Sequence, residues 1–151
     1  MGLSKELIQQ GLDVICQVEP KMATALKTCG YPEPRIRPEG YATLLRTILG
    51  QQVSVASAAS VWDKLERLLG TGCPPEKLIA REFDELRACG MSRQKQGYAR
   101  SLAELITSGE LDLENLPDDD EQAIAELVQI KGIGRWSAEV YLLFALGRPD
   151  I

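Results

Sequence analysis

Apolar residues recur along this chain every three or four positions, and no stretch sustains an alternation of period two. That pattern predicts an all-α fold without a strand of four or more residues. Residues 4–18 carry Leu7, Leu12, Ile15 and Val18 at helical spacing behind Ser4 as N-cap. A short helix follows at 20–28, opened by Pro20 and closed by Gly30. Three prolines in YPEPRIRPEG (31–40) make an extended connector. The next helix starts near Gly40, with Leu44, Leu45, Ile48 and Leu49 as its stripe. Ser54 is placed to cap a helix over 55–69 that turns Val55, Ala58, Trp62, Leu65 and Leu69 inward. Gly70 and Gly72 end it. Residues 75–88 hold two shorter helices, the second ended by Gly90. Ser92 opens another, with Tyr98, Leu102, Leu105 and Ile106 facing the core. Asp118 followed three residues later by Glu121 reads as a capping box for a helix over 119–129. The expected organisation is an N-terminal helix pair at 1–30, a Pro-rich connector at 31–39 and a helical domain over 40–151.

The stretch VQIKGIGRWSAEVY (128–141) breaks the helical rhythm. Only Ile130 to Gly134 separate one helix from the next, and so tight a turn needs glycine. Gly132 and Gly134 leave their N–H groups uncovered, and Ile133 between them can pin the turn to the core. Lys131 and Arg135 add positive charge beside this cup of amides, which suits one backbone phosphate held without reading base sequence. A helix end followed by a cap, with no ligand, is the competing reading. The frame Leu127-x-x-Ile130-x-Gly132-Ile133-Gly134-x-x-x-Ala138 favours a helix-hairpin-helix, with residues 131–134 as the hairpin.

Composition changes this picture little. With 151 residues, 44% hydrophobic and 26% charged, the chain has the make-up of a globular domain. No apolar run is long enough to span a bilayer, so no membrane partner is expected. The N-terminus lacks a signal-peptide layout, and Gly2 stands outside a myristoylation pattern. Cysteines at 16, 29, 73 and 89 form no C-x-x-C pair, and the chain has no histidine. The usual zinc layouts and a histidine base are thereby excluded, and four reduced thiols in a cytoplasmic protein are expected. The net charge of −5 weighs against a nucleic-acid partner. The acids, however, concentrate in 109–126, whereas Arg93, Lys95 and Arg100 cluster elsewhere.

LVQIKGIGRWSAEVYLLFALGRPDI and LLRTILGQQVSVASAAS, with CGMSRQKQGYARSLAEL between them, resemble segments of the helix-hairpin-helix DNA glycosylase superfamily. The 3-methyladenine DNA glycosylase II branch is the nearer match. The resemblance covers most of the chain. It implies base-excision repair, with alkylated bases such as 3-methyladenine flipped out of double-stranded DNA and released by hydrolysis of the N-glycosidic bond, in a cytoplasmic (bacterial cytosol or nucleoid) setting. It also implies that the N–H groups of Gly132, Gly134 and Ser137 hold a phosphate. The carbonyls of Val128, Ile130 and Ile133 would hold a monovalent cation (Na or K), and no other cofactor is implied. A side chain of GQQVS would fill the gap left by the flipped base, Gln52 first and Gln51 second; the alternative is a polar helix end. Relatives with lyase activity carry a lysine where this chain has Trp136, so Schiff-base chemistry is not expected. Trp136 suits the face of a base pocket, because an indole attracts a cationic ring. A space-filling core residue is its other reading, the one given to Trp62.

The resemblance stops at GRPDI. The family's catalytic aspartate would fall past Ile151, and Asp150 matches an earlier position of that segment. The chain by itself is therefore expected to lack glycosylase activity. Its N-terminal helices are expected to lack their C-terminal packing partners, with self-association or a displaced N-terminal segment as the outcome. A non-enzymatic DNA-binding module built on the same hairpin is the alternative.

Overall fold

The computed structural model describes residues 4–149 and 151. Gly2 and Asp150 lie outside the described residues. The described residues form α-helices and one π-helical turn, with no strand among them. The helices are α1 (Lys5–Val18), α2 (Pro20–Cys29), α3 (Tyr41–Gly50), α4 (Val55–Leu69), α5 (Pro75–Ile79), α6 (Phe83–Ala88), α7 (Arg93–Ser108), α8 (Asp120–Leu127) and α9 (Arg135–Tyr141). The π-helical turn Leu142–Leu146 follows α9 directly, a feature that the apolar periodicity does not announce. Caps set the boundaries as expected at three places. Ser4, Ser54 and Ser92 each accept a backbone N–H from the first turn of their helix, at 3.1–3.3 Å. At α8 the expected cap is corrected. Asp119, not Asp118, accepts the Gln122 N–H at 2.9 Å, and Glu121 turns away from a capping box to meet Arg135.

The chain divides into two compact units, residues 1–38 with 142–151 and residues 39–141. In the first, α1 packs on α2. The connector is tied to the C-terminal stretch by the Arg37 N–H, which donates to the Phe144 carbonyl at 2.8 Å, and by the Arg37 guanidinium over the Phe144 ring. Neither α1 nor α2 contains a buried residue. Leu7, Val14, Ile15, Val18 and Met22 all stand exposed, Val18 at 79%.

The second unit holds a proper core. Helix α3 packs against α4, α7 and α9, and α5 and α6 pack against α7. Leu44, Leu45 and Ile48 of α3 are fully buried, each contributing about 1.5–3 kcal/mol by leaving water. Leu65 and Leu69 of α4, Leu78 of α5, Leu86 of α6 and Leu102 of α7 complete the apolar centre. The α4 stripe differs from expectation at its start, since Val55 is 88% exposed while Trp62 is buried as expected. The Arg46 guanidinium lies 3.8 Å over the Trp62 ring. Cys73 and Cys89 are buried thiols, and burial pushes Cys73 up to about 11. At that value the thiol stays protonated and inert at neutral pH. The Tyr141 hydroxyl accepts the Gly40 N–H at 2.8 Å, fastening the end of α9 to the start of α3.

Candidate nucleic-acid interface

The turn between α8 and α9 is built from both ends. The Ile130 N–H donates to the Leu127 carbonyl at 3.2 Å, and the Ile133 N–H donates to the Ile130 carbonyl at 3.0 Å. Ile130 and Ile133 are both buried and root the hairpin in the core. Gly132 lies at φ +85°, in the left-handed region that favours glycine. A β-carbon there would stand 2.2 Å from Cδ2 of Tyr98, so the glycine is required by close approach as well as by conformation. Gly134 differs, with an ordinary φ and nothing within 4 Å of a notional β-carbon. Its carbonyl accepts the Ala138 N–H at 3.0 Å and so opens α9.

Three side chains hold this hairpin from outside it. The Tyr98 ring lies against Gly132 and is itself steadied by Gln94, which donates to the Tyr98 hydroxyl at 2.7 Å. One turn further along α7, the Ser101 hydroxyl accepts the Lys131 N–H at 3.2 Å. From the α3–α4 loop, Gln51 Nε2 donates to the Gly132 carbonyl at 2.7 Å. The N–H groups of Gly132, Gly134 and Ser137 donate to nothing among the described residues. The carbonyls of Val128 and Ile133 likewise accept no hydrogen bond there, and that of Ile130 accepts one. No group of three or more His, Cys, Asp or Glu residues among the described residues is arranged to hold a metal ion.

The two basic residues beside the cup are not equivalent. Arg135 forms a forked pair with Glu121 and donates from Nε to Glu139 Oε1 at 2.8 Å. Its hydrogen bonds hold the Glu121 carboxyl below the ordinary range, and the same partners raise Arg135. Arg135 thus spans α8 and α9 as a strut with its charge answered, whereas the Lys131 side chain is exposed and turned to solvent. The basic cluster of Arg93, Lys95 and Arg100 is also engaged internally. Lys95 Nζ donates to the Leu49 carbonyl at 2.6 Å, where partial burial lowers its pKa. Arg100 donates to the carbonyls of Ile79 and Arg81, and Arg93 lies over the Phe83 ring.

Trp136 is 73% exposed on the first turn of α9. Gln52 is exposed at φ +58°, an uncommon conformation for a residue with a β-carbon. Exposed Val53 and Val55 follow it in the chain. Gln51 is instead half-buried and occupied with Gly132. The 51–54 loop and the 131–134 hairpin therefore form one continuous surface. No local pattern marks Ser101 or the Arg135–Glu121 pair, and helical spacing gives Tyr98 only as an inward helix residue. The available signal was the one-turn spacing of Tyr98 and Ser101 on one face of α7.

The sequence profile of the HhH-GPD superfamily base excision DNA repair proteins matches residues 45–150, a span that contains this whole surface. The chain belongs to that superfamily. Its resemblance to the 3-methyladenine branch holds as well. The HhH-GPD chain is 32% identical to DNA-3-methyladenine glycosylase 2 of Escherichia coli over 150 residues, covering 89% of this chain and 53% of the relative. Among solved structures, it matches a DNA-3-methyladenine glycosidase from Bacillus halodurans with a TM-score of 0.78 and 31% identity, over 91% of this chain and 64% of that one. A 3-methyladenine DNA glycosylase of Schizosaccharomyces pombe, solved in complex with abasic DNA, matches with a TM-score of 0.74 and 31% identity, over 88% and 68%. The chain spans about half the length of the curated relatives it matches. No helix among the described residues is long and apolar enough to cross a membrane.

Proposed function

We propose that this chain carries the DNA-gripping part of a monofunctional N-glycosylase that removes alkylated purines, such as 3-methyladenine, from double-stranded DNA in the cytoplasm. The observation that carries the reading is a hairpin rooted by Ile130 and Ile133 and held by Tyr98, Ser101 and Gln51, whose Gly132, Gly134 and Ser137 amides find no acceptor among the described residues. Amides fixed in that way bind an anion without reorganising, and a backbone phosphate brings no sequence preference. Lys131 supplies the unanswered positive charge. Gln52, held out in the left-handed region, is the side chain suited to the gap left by a flipped base. The exposed indole of Trp136 offers a face to a cationic purine.

Alkylation at a ring nitrogen leaves a purine cationic and its glycosidic bond weak, so extraction and charge stabilisation suffice without a side-chain nucleophile: the base leaves with the bonding pair, and water adds to the sugar carbon and loses a proton. Trp136 in the lysine position supports hydrolysis over Schiff-base chemistry. The carboxylate for that step is assigned to a segment past Ile151. The uncommitted carbonyls of Val128 and Ile133, with that of Ile130, suit a monovalent cation, which would stiffen the turn. The exposed apolar faces of α1 and α2 suit a packing or self-association role for residues 1–30.

Binding to duplexes of unrelated sequence should fall as salt rises, and Lys131→Glu should weaken all of them alike while reducing the salt slope by about one. Equal binding by the Lys131→Glu chain at low salt would remove the hairpin from the interface. In a protein joining this chain to the assigned carboxylate, methylated DNA should yield free 3-methyladenine and an intact abasic strand. Binding without release would favour the non-enzymatic module, and borohydride trapping would overturn the monofunctional reading.

A further inference from the structure

We infer that Gln51 is a positioning residue, locking the loop that carries Gln52 to the hairpin so that the two act on DNA as one rigid piece. The inference rests on the DNA reading above. Helix α3 ends at Gly50, and Gln51 follows as its cap, its N–H donating to the Ile48 carbonyl at 3.3 Å. The next residue, Gln52, enters the left-handed region, so the chain reverses within a single step. Nothing internal to the loop holds the Gln52 side chain, which has no hydrogen-bond partner among the described residues.

What fixes the loop lies on either side of it. Behind, Lys95 Nζ holds the Leu49 carbonyl at 2.6 Å. Ahead, Ser54 caps α4. Across, Gln51 Nε2 reaches the Gly132 carbonyl at 2.7 Å, between residues 81 apart in sequence. Gly132 is the residue seated on Tyr98, so the Gln51 amide ends on the most constrained point of the hairpin. A phosphate held at 132–137 and a gap entered by residue 52 must be a set distance apart on a duplex. The Gln51 bond fixes the corresponding separation in the protein before DNA arrives, which reduces the ordering cost on binding. Two adjacent glutamines thus divide the work: one faces DNA, and the other faces the hairpin.

Gln51→Met keeps the length of the side chain and removes the donor without adding charge. The intact chain, Gln51→Met and Gln52→Ala would be compared by hydrogen–deuterium exchange and by binding to two duplexes. One duplex is fully paired, and the other holds a tetrahydrofuran abasic analogue beside 2-aminopurine. Gln51→Met should speed exchange across both 50–54 and 131–134 and lower the preference for the abasic duplex roughly fivefold, the loss expected of one hydrogen bond. Affinity for the paired duplex should fall by a smaller factor, because Tyr98 and Ser101 still hold the hairpin amides. Gln52→Ala should lose the same preference with hairpin exchange unaltered. Unchanged exchange and preference in Gln51→Met would overturn the inference. So would an equal loss on both duplexes, which would place Gln51 in the phosphate grip itself. If the intact chain binds neither duplex while Gln51→Met still speeds exchange, the DNA reading fails. Gln51 is then a structural tie alone, and its positioning role in DNA is overturned.

Discussion

The helix pair α1–α2 and the hairpin between α8 and α9 have local signals and tertiary anchors in opposite measure. Helix α1 has 14 residues, a serine cap and a clear apolar stripe, yet it buries none of its residues. The hairpin has two glycines in five residues and no periodic pattern, yet Ile130 and Ile133 are buried and three side chains from elsewhere in the chain hold it. An amphipathic stripe states that a face wants a partner; it does not supply one. A short irregular turn, by contrast, becomes rigid when enough fixed groups surround it. Rigidity here follows the neighbours and not the local propensity.

The sharpest way to break this comparison is to remove apolar volume from each region. Ile130→Ala should cost about 2–4 kcal/mol, because a fully buried side chain leaves a cavity that a rooted hairpin cannot close. Val18→Ala, at a site 79% exposed, should stay within about 0.5 kcal/mol. Urea denaturation followed by circular dichroism would measure both, and similar losses would show that α1 is anchored after all.

A smaller effect separates the two glycines. Gly132→Ala must place a β-carbon into the Tyr98 ring at φ +85° and should cost about 1–3 kcal/mol. Gly134→Ala meets nothing and should leave the thermal midpoint nearly unchanged. Its effect should appear instead in weaker binding to duplex DNA, since the methyl group crowds the amide cup. Calorimetry beside a binding titration distinguishes the two, and a stability loss at Gly134 matching that at Gly132 would contradict the geometry.

The smallest effect concerns the Arg135 strut. Arg135 depresses the Glu121 carboxyl in the folded chain, so the contribution of the pair is present above the ordinary carboxylate range. It is lost as pH falls through the folded value, which lies below the ordinary carboxylate range. Amide shifts of Gly132 and Gly134 by NMR should move as pH passes that value in the intact chain. The same shifts in Glu121→Gln should start near their acid position and move less. Identical titrations would mean that the strut does not support the hairpin.

Helix locations, the caps at Ser4, Ser54 and Ser92, the buried stripe of α3 and the hairpin itself were legible in the sequence, because each rests on interactions within a few residues. The repeat of three to four, a serine ahead of a stripe and two glycines in a tight turn all have short-range causes. Tertiary structure alone decided which charges remain available. Arg93, Lys95 and Arg100 look like a basic patch in one dimension, but carbonyls and a ring brought in from other helices engage all three. It also decided the two tryptophans, burying Trp62 beneath Arg46 and exposing Trp136, and it gave two neighbouring glutamines different surroundings. The physical reason is the same throughout: hydrogen bonds to carbonyls, ring contacts and burial depend on groups tens of residues away, and no local pattern records which of them will arrive.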